Sequence, residues 1–239
     1  MTLALATLPV DTQEAVAATR ERVAALHAEL PRNGLVVWTA GNVSERVPAT
    51  APEVPGLMVI KPSGVSYDEL TAETMVVCTL DGVKIDDGTP DTLTPSSDTA
   101  AHAYVYSYLP EVGGVVHTHS TYATAWAARA EEIPCVLTMM ADEFGGPVPV
   151  GPFAVIGDDS IGRGIVETLE GHRSPAVLMQ NHGPFTLGKD GRAAVKAAVM
   201  VEEVARTVHI SRQLGEPLPI EPSLIDSLYD RYQNVYGQR

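Results

Sequence analysis

Apolar and polar positions alternate along this chain in short blocks whose period changes often. Between Thr12 and Leu30, Val16, Val23, Leu26 and Leu30 recur at helical spacing with Arg and Glu between them. That pattern predicts an amphipathic helix ended by Pro31 and Gly34. Leu35 to Thr39 predicts a strand leading into the loop Gly41-Asn42-Val43-Ser44. Leu57 to Ile60 predicts a second strand, followed by Lys61-Pro62-Ser63-Gly64. Met75 to Leu80 and Val83 to Ile85 read as a hairpin, because the Asp81-Gly82 pair between them suits a tight turn. Pro95 to Asp98 introduces a helix reaching Tyr108, Gly113 to His119 is a strand, and Tyr122 to Ala130 a helix. Pro134 to Met140 and Pro147 to Val150 read as short strands, and Ser160 to Glu170 as a helix. Ala176 to Gln180 and Pro184 to Leu187 form a predicted strand pair around His182. A long helix follows from Gly191 to Leu214, with Val195, Val199, Val204 and Val208 among its apolar positions, and Ser223 to Val235 predicts a last helix.

No internal repeat interrupts this order, and the loops at 48–55 and 88–95 are too short for domain linkers. Helices alternate with strands irregularly around at least one hairpin. The expectation is a single α/β domain over residues 1–239, with a mixed, mainly antiparallel central sheet flanked by helices. An apolar content of 45% suits a globular core, and the apolar stretches are too interrupted by charge to span a bilayer. The N-terminus lacks the cationic-then-apolar pattern of a secretory signal, and Cys78 and Cys135 are the only cysteines. Both features fit a cytoplasmic protein without a disulfide framework. The net charge of −14 argues against nucleic-acid affinity and requires a local positive site for any anionic substrate.

The most informative chemistry lies in Val116-His117-Thr118-His119-Ser120, at the end of an apolar run. Successive strand residues point to opposite faces, so His117 and His119 point the same way. Two imidazoles so placed can hold a borderline metal such as zinc, though they can equally be an ordinary sheet face. His182 sits in Gln180-Asn181-His182-Gly183-Pro184, a sharp turn directly after an apolar strand, where functional groups commonly project. Asp98, in Pro95-Ser96-Ser97-Asp98, reads either as a helix N-cap or as a metal ligand. His102, four residues on, reads as a partner of Asp98 or as a solvated helix position. His27, His172 and His209 read as surface or packing residues. Three loops can together receive an anion. Ser96 and Ser97 precede a helix N-terminus, Lys61-Pro62-Ser63-Gly64 offers a cation and a hydroxyl, and Gly41-Asn42-Val43-Ser44 adds an amide.

The ordered set Gly41-Asn42-Val43-Ser44, Lys61-Pro62-Ser63-Gly64-Val65, Pro95-Ser96-Ser97-Asp98-Thr99, His117-Thr118-His119-Ser120, His182-Gly183-Pro184-Phe185 and Tyr236-Gly237-Gln238 resembles the class II aldolase/epimerase family, from about residue 12 to Gln238. Within it, the likeness is greatest to the epimerases acting at C4 of L-ribulose 5-phosphate. The resemblance implies a divalent cation, zinc or another such as Mn²⁺, on His117, His119 and His182, with Asp98 completing the metal site. It implies a phosphorylated pentulose substrate, its phosphate held by Asn42, Ser63, Gly64, Ser96 and Ser97 with Lys61 beside them. Asp142 and Tyr236 match the acid/base pair, which in the family reaches the site from a neighbouring subunit of a four-fold homotetramer. The resemblance further implies that Asp98 favours an epimerase over a sugar-phosphate aldolase, since the related fuculose- and rhamnulose-type aldolases carry a Glu in that metal-site region. The three histidines and Asp98 weigh against a non-catalytic domain like the adducin head, which lacks them. The chain departs from the family pattern at Met140, often His, and between Ser223 and Tyr236, where the family often has a further His and a few more residues. Those departures bear on the tuning of Asp142 and Tyr236 and on the preferred sugar.

Overall fold

A computed structural model of the chain describes residues 3–235. In chain order the elements are α1 (Val10–His27), α2 (Glu29–Arg32), β1 (Asn42–Arg46), β2 (Leu57–Ile60) and β3 (Val76–Thr79). There follow α3 (Thr99–Tyr108), β4 (Gly114–His117), α4 (Thr121–Ala128), α5 (Thr138–Phe144) and β5 (Val150–Gly151). The last five are α6 (Ser160–Leu169), β6 (Ala176–Met179), β7 (Gly183–Gly188), α7 (Gly191–Leu214) and α8 (Pro222–Asn234). The strands form one sheet in the order β3-β2-β1-β4-β7-β6-β5. Only β5 and β6 run parallel; every other neighbouring pair is antiparallel. The expected mixed, mainly antiparallel sheet flanked by helices is the fold observed.

Strand alternation sorts the core into two layers. Met58, Ile60, Val115, Val177 and Phe185 face α3 and α6, packing on Tyr106, Ile161 and Ile165. Their neighbours turn the other way. Leu57 and Val59 meet Val16 and Val23 of α1, Val43 and Val116 meet Ala194 and Ala198 of α7, and Ala176 and Leu178 meet Met140 and Phe144 of α5. Each such side chain taken fully out of water contributes about 1.5–3 kcal/mol, so the alternation specifies which face each strand presents.

Three sequence expectations are corrected. Leu35 to Thr39 is not a strand: Leu35 is buried, Val37 and Trp38 are exposed, and Trp38 turns the backbone to a φ of 57°. The strand lies instead at Asn42–Arg46, within the stretch expected to be a loop. Pro134 to Met140 is not a strand either; its end belongs to α5, and only Ile133 bridges Val148 nearby. The predicted hairpin is present, with Gly82 at a φ of 86° and the Thr79 N–H bonded to the Val83 carbonyl at 2.9 Å.

Two buried groups join helices to β1. Glu45 accepts from Arg22 of α1 at 2.8 Å and from the Gly191 N–H at the start of α7 at 3.1 Å. His27, expected as a surface or packing residue, is fully enclosed between α1 and β1. Its Nδ1–H donates to the Val23 carbonyl at 2.7 Å and its Nε2 accepts the Val43 N–H at 3.0 Å. Both roles require the neutral ring, and burial pushes its pKa down from 6.5 to about 3.

That shift has a sign. As pH falls below 6.5 the unfolded chain gains a proton that the folded chain refuses until about 3. Stability is therefore full above that window and falls by about 1.4 kcal/mol per pH unit within it. We predict that His27→Gln lowers the dependence of the urea midpoint on pH between 6 and 4, relative to the unmutated chain; an unaltered dependence would refute this account.

Candidate metal centre and anion-binding loops

The site begins with a cross-strand pairing. In the β1–β4 ladder Asn42 lies opposite His117, and in the β4–β7 ladder His117 lies opposite Phe185. All three side chains consequently stand on the α3 side of the sheet. The His117 ring stacks on Phe185 at 4.1 Å and 17°. Its Nδ1–H donates to the Pro184 carbonyl at 3.1 Å, which leaves Nε2 with a bare lone pair. A ligating His is commonly held in this way.

His119 lies just past β4, and His182 in the turn between β6 and β7, where Asn181 adopts a φ of 58°. Gly183 admits the approach of this turn, since a Cβ there would lie 2.7 Å from the Thr118 carbonyl. The three rings converge: one nitrogen from each of His117, His119 and His182 lies within 4.8 Å of the others. The Nε2 atoms of His117 and His119 are 2.9 Å apart. Two nitrogens about 2.1 Å from a shared tetrahedral ion would stand roughly 3.4 Å apart, so an ion would part these two by about half an ångström. Burial lowers the pKa of all three imidazoles, for His117 well below the ordinary value. The neutral form that donates a lone pair is therefore the one present at physiological pH.

Asp98 stands beside the triad as its anionic neighbour, opposing the lowered pKa of His119 and His182. It occupies the N-cap position of α3 but makes no side-chain cap bond. Instead its Oδ2 accepts from Asn42 Nδ2 at 2.7 Å, within a site where Asn42 is 2% and Asp98 5% exposed. Among the described residues, four buried side-chain polar atoms have no partner: Asn42 Oδ1, Asp98 Oδ1, His102 Nε2 and Thr124 Oγ1. All four belong to this region. Asn42 faces His117, Asp98 acts on His119 and on His102, and Thr124 Oγ1 lies 3.3 Å from the Cβ position at Gly183. Unspent polar groups are rare in a folded interior, and their concentration here marks a place built for something else to bind.

The three expected anion-binding loops also meet. The Ser63 N–H donates to the Thr94 carbonyl at 2.8 Å, and the Ser96 N–H to the Lys61 carbonyl at 3.0 Å. Asn42 Nδ2 joins them by donating to Ser96 Oγ at 3.0 Å. Ser63, Gly64 and Ser97 are exposed, with Gly64 at a φ of 71°. Lys61 is buried; its ammonium donates to the Thr39 and Pro62 carbonyls and lies 5.5 Å from the Tyr67 ring centre. Desolvation pulls its pKa down to about 8.

The segment after His119 is held from across the molecule. Glu202 of α7 accepts the N–H groups of Tyr122 and Ala123, each at 2.9 Å, in the first turn of α4. Asp142 is not brought to the triad. It lies on α5, partly exposed, beside Glu143, whose carboxylate binds Lys196 of α7 at 2.6 Å. Tyr236 lies outside the described residues. Sequence reasoning gave no role to Phe185 and left His102 open; the α3 helical face and the β4–β7 register place both against the site.

The comparisons accord with this geometry. The family model described as "Class II Aldolase and Adducin N-terminal domain" matches residues 21–209. L-ribulose-5-phosphate 4-epimerase UlaF of Salmonella paratyphi C (strain RKS4594) is 40% identical over 233 residues, covering 92% of this chain and 98% of its own. The protein of the same name from Salmonella paratyphi B (strain ATCC BAA-1250 / SPB7) is 41% identical over the same length and coverage. Among solved structures, an L-fuculose 1-phosphate aldolase superposes with a TM-score of 0.80 at 24% identity, covering 90% of this chain and 96% of that one, a likeness of fold. With the family model matched over most of its length, the chain belongs to the class II aldolase and adducin N-terminal domain family.

Proposed function

We propose that this chain is a divalent-metal-dependent isomerase that interconverts L-ribulose 5-phosphate and D-xylulose 5-phosphate by inversion at C4. The observation that carries the reading is the convergence of three neutral imidazoles, a buried carboxylate and three hydroxyl-bearing loops on one side of the sheet. The two relatives reported above are named for this reaction.

The C4 proton of such a sugar is not acidic, so inversion by simple proton transfer at carbon is closed. Breaking the C3–C4 bond is open, because the electron pair left on C3 is conjugated with the C2 carbonyl. His117, His119 and His182, with Asp98, hold the cation, zinc or manganese, which when bound supplies the positive charge that such a pair requires. Ser63, Ser96 and Ser97 offer hydroxyls to the phosphate, and Gly64 lets it approach the backbone. Ser96 Oγ already accepts from Asn42 and, at 3.3 Å, from the Asp98 N–H, so its own hydrogen points to a ligand. Buried Lys61 supplies positive charge beneath the loops. Held by these groups, the two-carbon fragment turns its carbonyl over before the bond re-forms.

Asp142 and Tyr236 exchange a proton with the C4 oxygen on its opposite faces, and they do so for the triad of an adjacent subunit. The groove lined by Glu143, Tyr229 and Tyr232 also contains Gly188, the far end of β7 from Gly183 and His182. Six strand residues span about 17 Å. Glu143, next to Asp142, and the helix leading to Tyr236 thus stand a strand's length from their own triad. A symmetric homotetramer with sites between subunits removes that separation.

Incubation with L-ribulose 5-phosphate and Zn²⁺ or Mn²⁺ should yield D-xylulose 5-phosphate without free glycolaldehyde phosphate. Accumulation of that aldehyde would identify an aldolase instead, and inert substrate with no bound metal would overturn both readings. His119→Ala should lose the metal, measured by elemental analysis, and lose more turnover than the about 10²–10⁴-fold typical of an acid/base variant. Tyr236→Phe should keep its metal and fall within that range. Mixed oligomers of these two variants, refolded together, should regain turnover; persistent inactivity would refute the shared site.

A further inference from the structure

His102 is fully buried on α3, one turn below Asp98. Its backbone N–H bonds the Asp98 carbonyl at 3.0 Å, so the two side chains stand one above the other on a single helix face. A directed set of hydrogen bonds settles which ring nitrogen carries the hydrogen. The buried Tyr106 hydroxyl has Ser44 Oγ, at 2.8 Å, as its hydrogen-bond partner and no other acceptor among the described residues, so its proton goes there. Ser44 then donates to His102 Nδ1 at 2.7 Å. Nδ1 is the acceptor, and Nε2 bears the hydrogen.

That Nε2–H is the one histidine donor without a partner in the buried cluster, and the unspent atoms beside it on Asn42 and Asp98 are both acceptors. Asn42 already holds Oδ2 of Asp98. Phe185 separates the two buried rings, stacked under His117 at 4.1 Å and edge-on to His102 at 6.2 Å. His102 therefore cannot itself reach the ion position from beneath His117, but it can fix the carboxylate next to it.

We infer that His102 is a positioning residue: its Nε2–H, which meets no acceptor in the metal-free chain, closes on the equally unpaired Oδ1 of Asp98 when the site fills and, backed by Ser44 and Tyr106, holds that carboxylate toward the histidine triad. This rests on the metal role proposed above for the triad and Asp98. Partners of this kind to a ligating group typically carry 10–100-fold in metal affinity.

Co²⁺ is the probe, since its visible absorption reports its ligand set, and every protein is also melted metal-free. The unmutated chain should bind Co²⁺. His102→Leu, which fills the space without hydrogen bonds, should bind about 10–100-fold more weakly with an altered spectrum. His102→Gln should recover much of the affinity, and Ser44→Ala, which frees the tautomer, should fall between. In an Asp98→Ala background His102→Leu should cost nothing further, because the effect passes through Asp98. Should His102→Leu not fold, Ser44→Ala and His102→Gln carry the comparison alone. Unchanged Co²⁺ affinity and spectrum in the folded variants, or an equal loss in the Asp98→Ala background, would overturn the inference. Failure of the unmutated chain to bind Co²⁺ would instead overturn the metal site, and the inference with it.

Discussion

The site depends on the register between β1 and β4. A slip of one residue would turn Asn42 and His117 to opposite faces and scatter the cluster. Glycines guard both ends of this pairing. Gly41 takes a φ of 78°, and a Cβ there would meet the His117 carbonyl at 2.8 Å. At the other end, a Cβ on Gly114 would meet the Asp190 carbonyl at 2.4 Å, where α7 begins. Larger residues at either place would force the strands or the helix apart, so the register is bounded by steric contact as well as by the apolar alternation.

From that register the electrostatics follow. His117 enters a dry wall of Phe185 and Val115, which disfavours its charged form, while the Asp98 carboxylate is held by Asn42. A chain of net charge −14 thus gathers buried Lys61 and the amide of Asn42 near the ends of the central strands β1 and β4. The same economy recurs in β1, where Asn42, Ser44 and Glu45 are all buried and all engaged with another element.

Much of this was legible in the chain itself. His117 and His119 at period two, and the turn around His182, were readable because strand alternation and Gly-Pro punctuation are local rules. The strand at Asn42–Arg46 was not, because its pattern is polar: side chains that serve the site and cap α7 replace the apolar residues a buried strand normally shows. Leu35 to Thr39 misled for the opposite reason, having apolar residues but no neighbouring strand to pair with. Helix α5 was hidden because a segment of seven residues, packed against α7 and α8, is too short to carry a clear period. His102 and His27 are both i+4 partners on helices, a spacing equally common on wet surfaces, so only burial distinguishes them. The position of Asp142 on the far side of the sheet is a matter of topology, which no local pattern encodes.

Glu202 has a consequence for ligand placement. The start of α4, two residues beyond His119, is a natural berth for a negatively charged group. The Glu202 carboxylate already fills it, an internal counter-ion delivered by α7. A sugar phosphate arriving beside the triad finds that berth taken. On the function proposed here, that leaves the serine-bearing loops to receive its phosphate end.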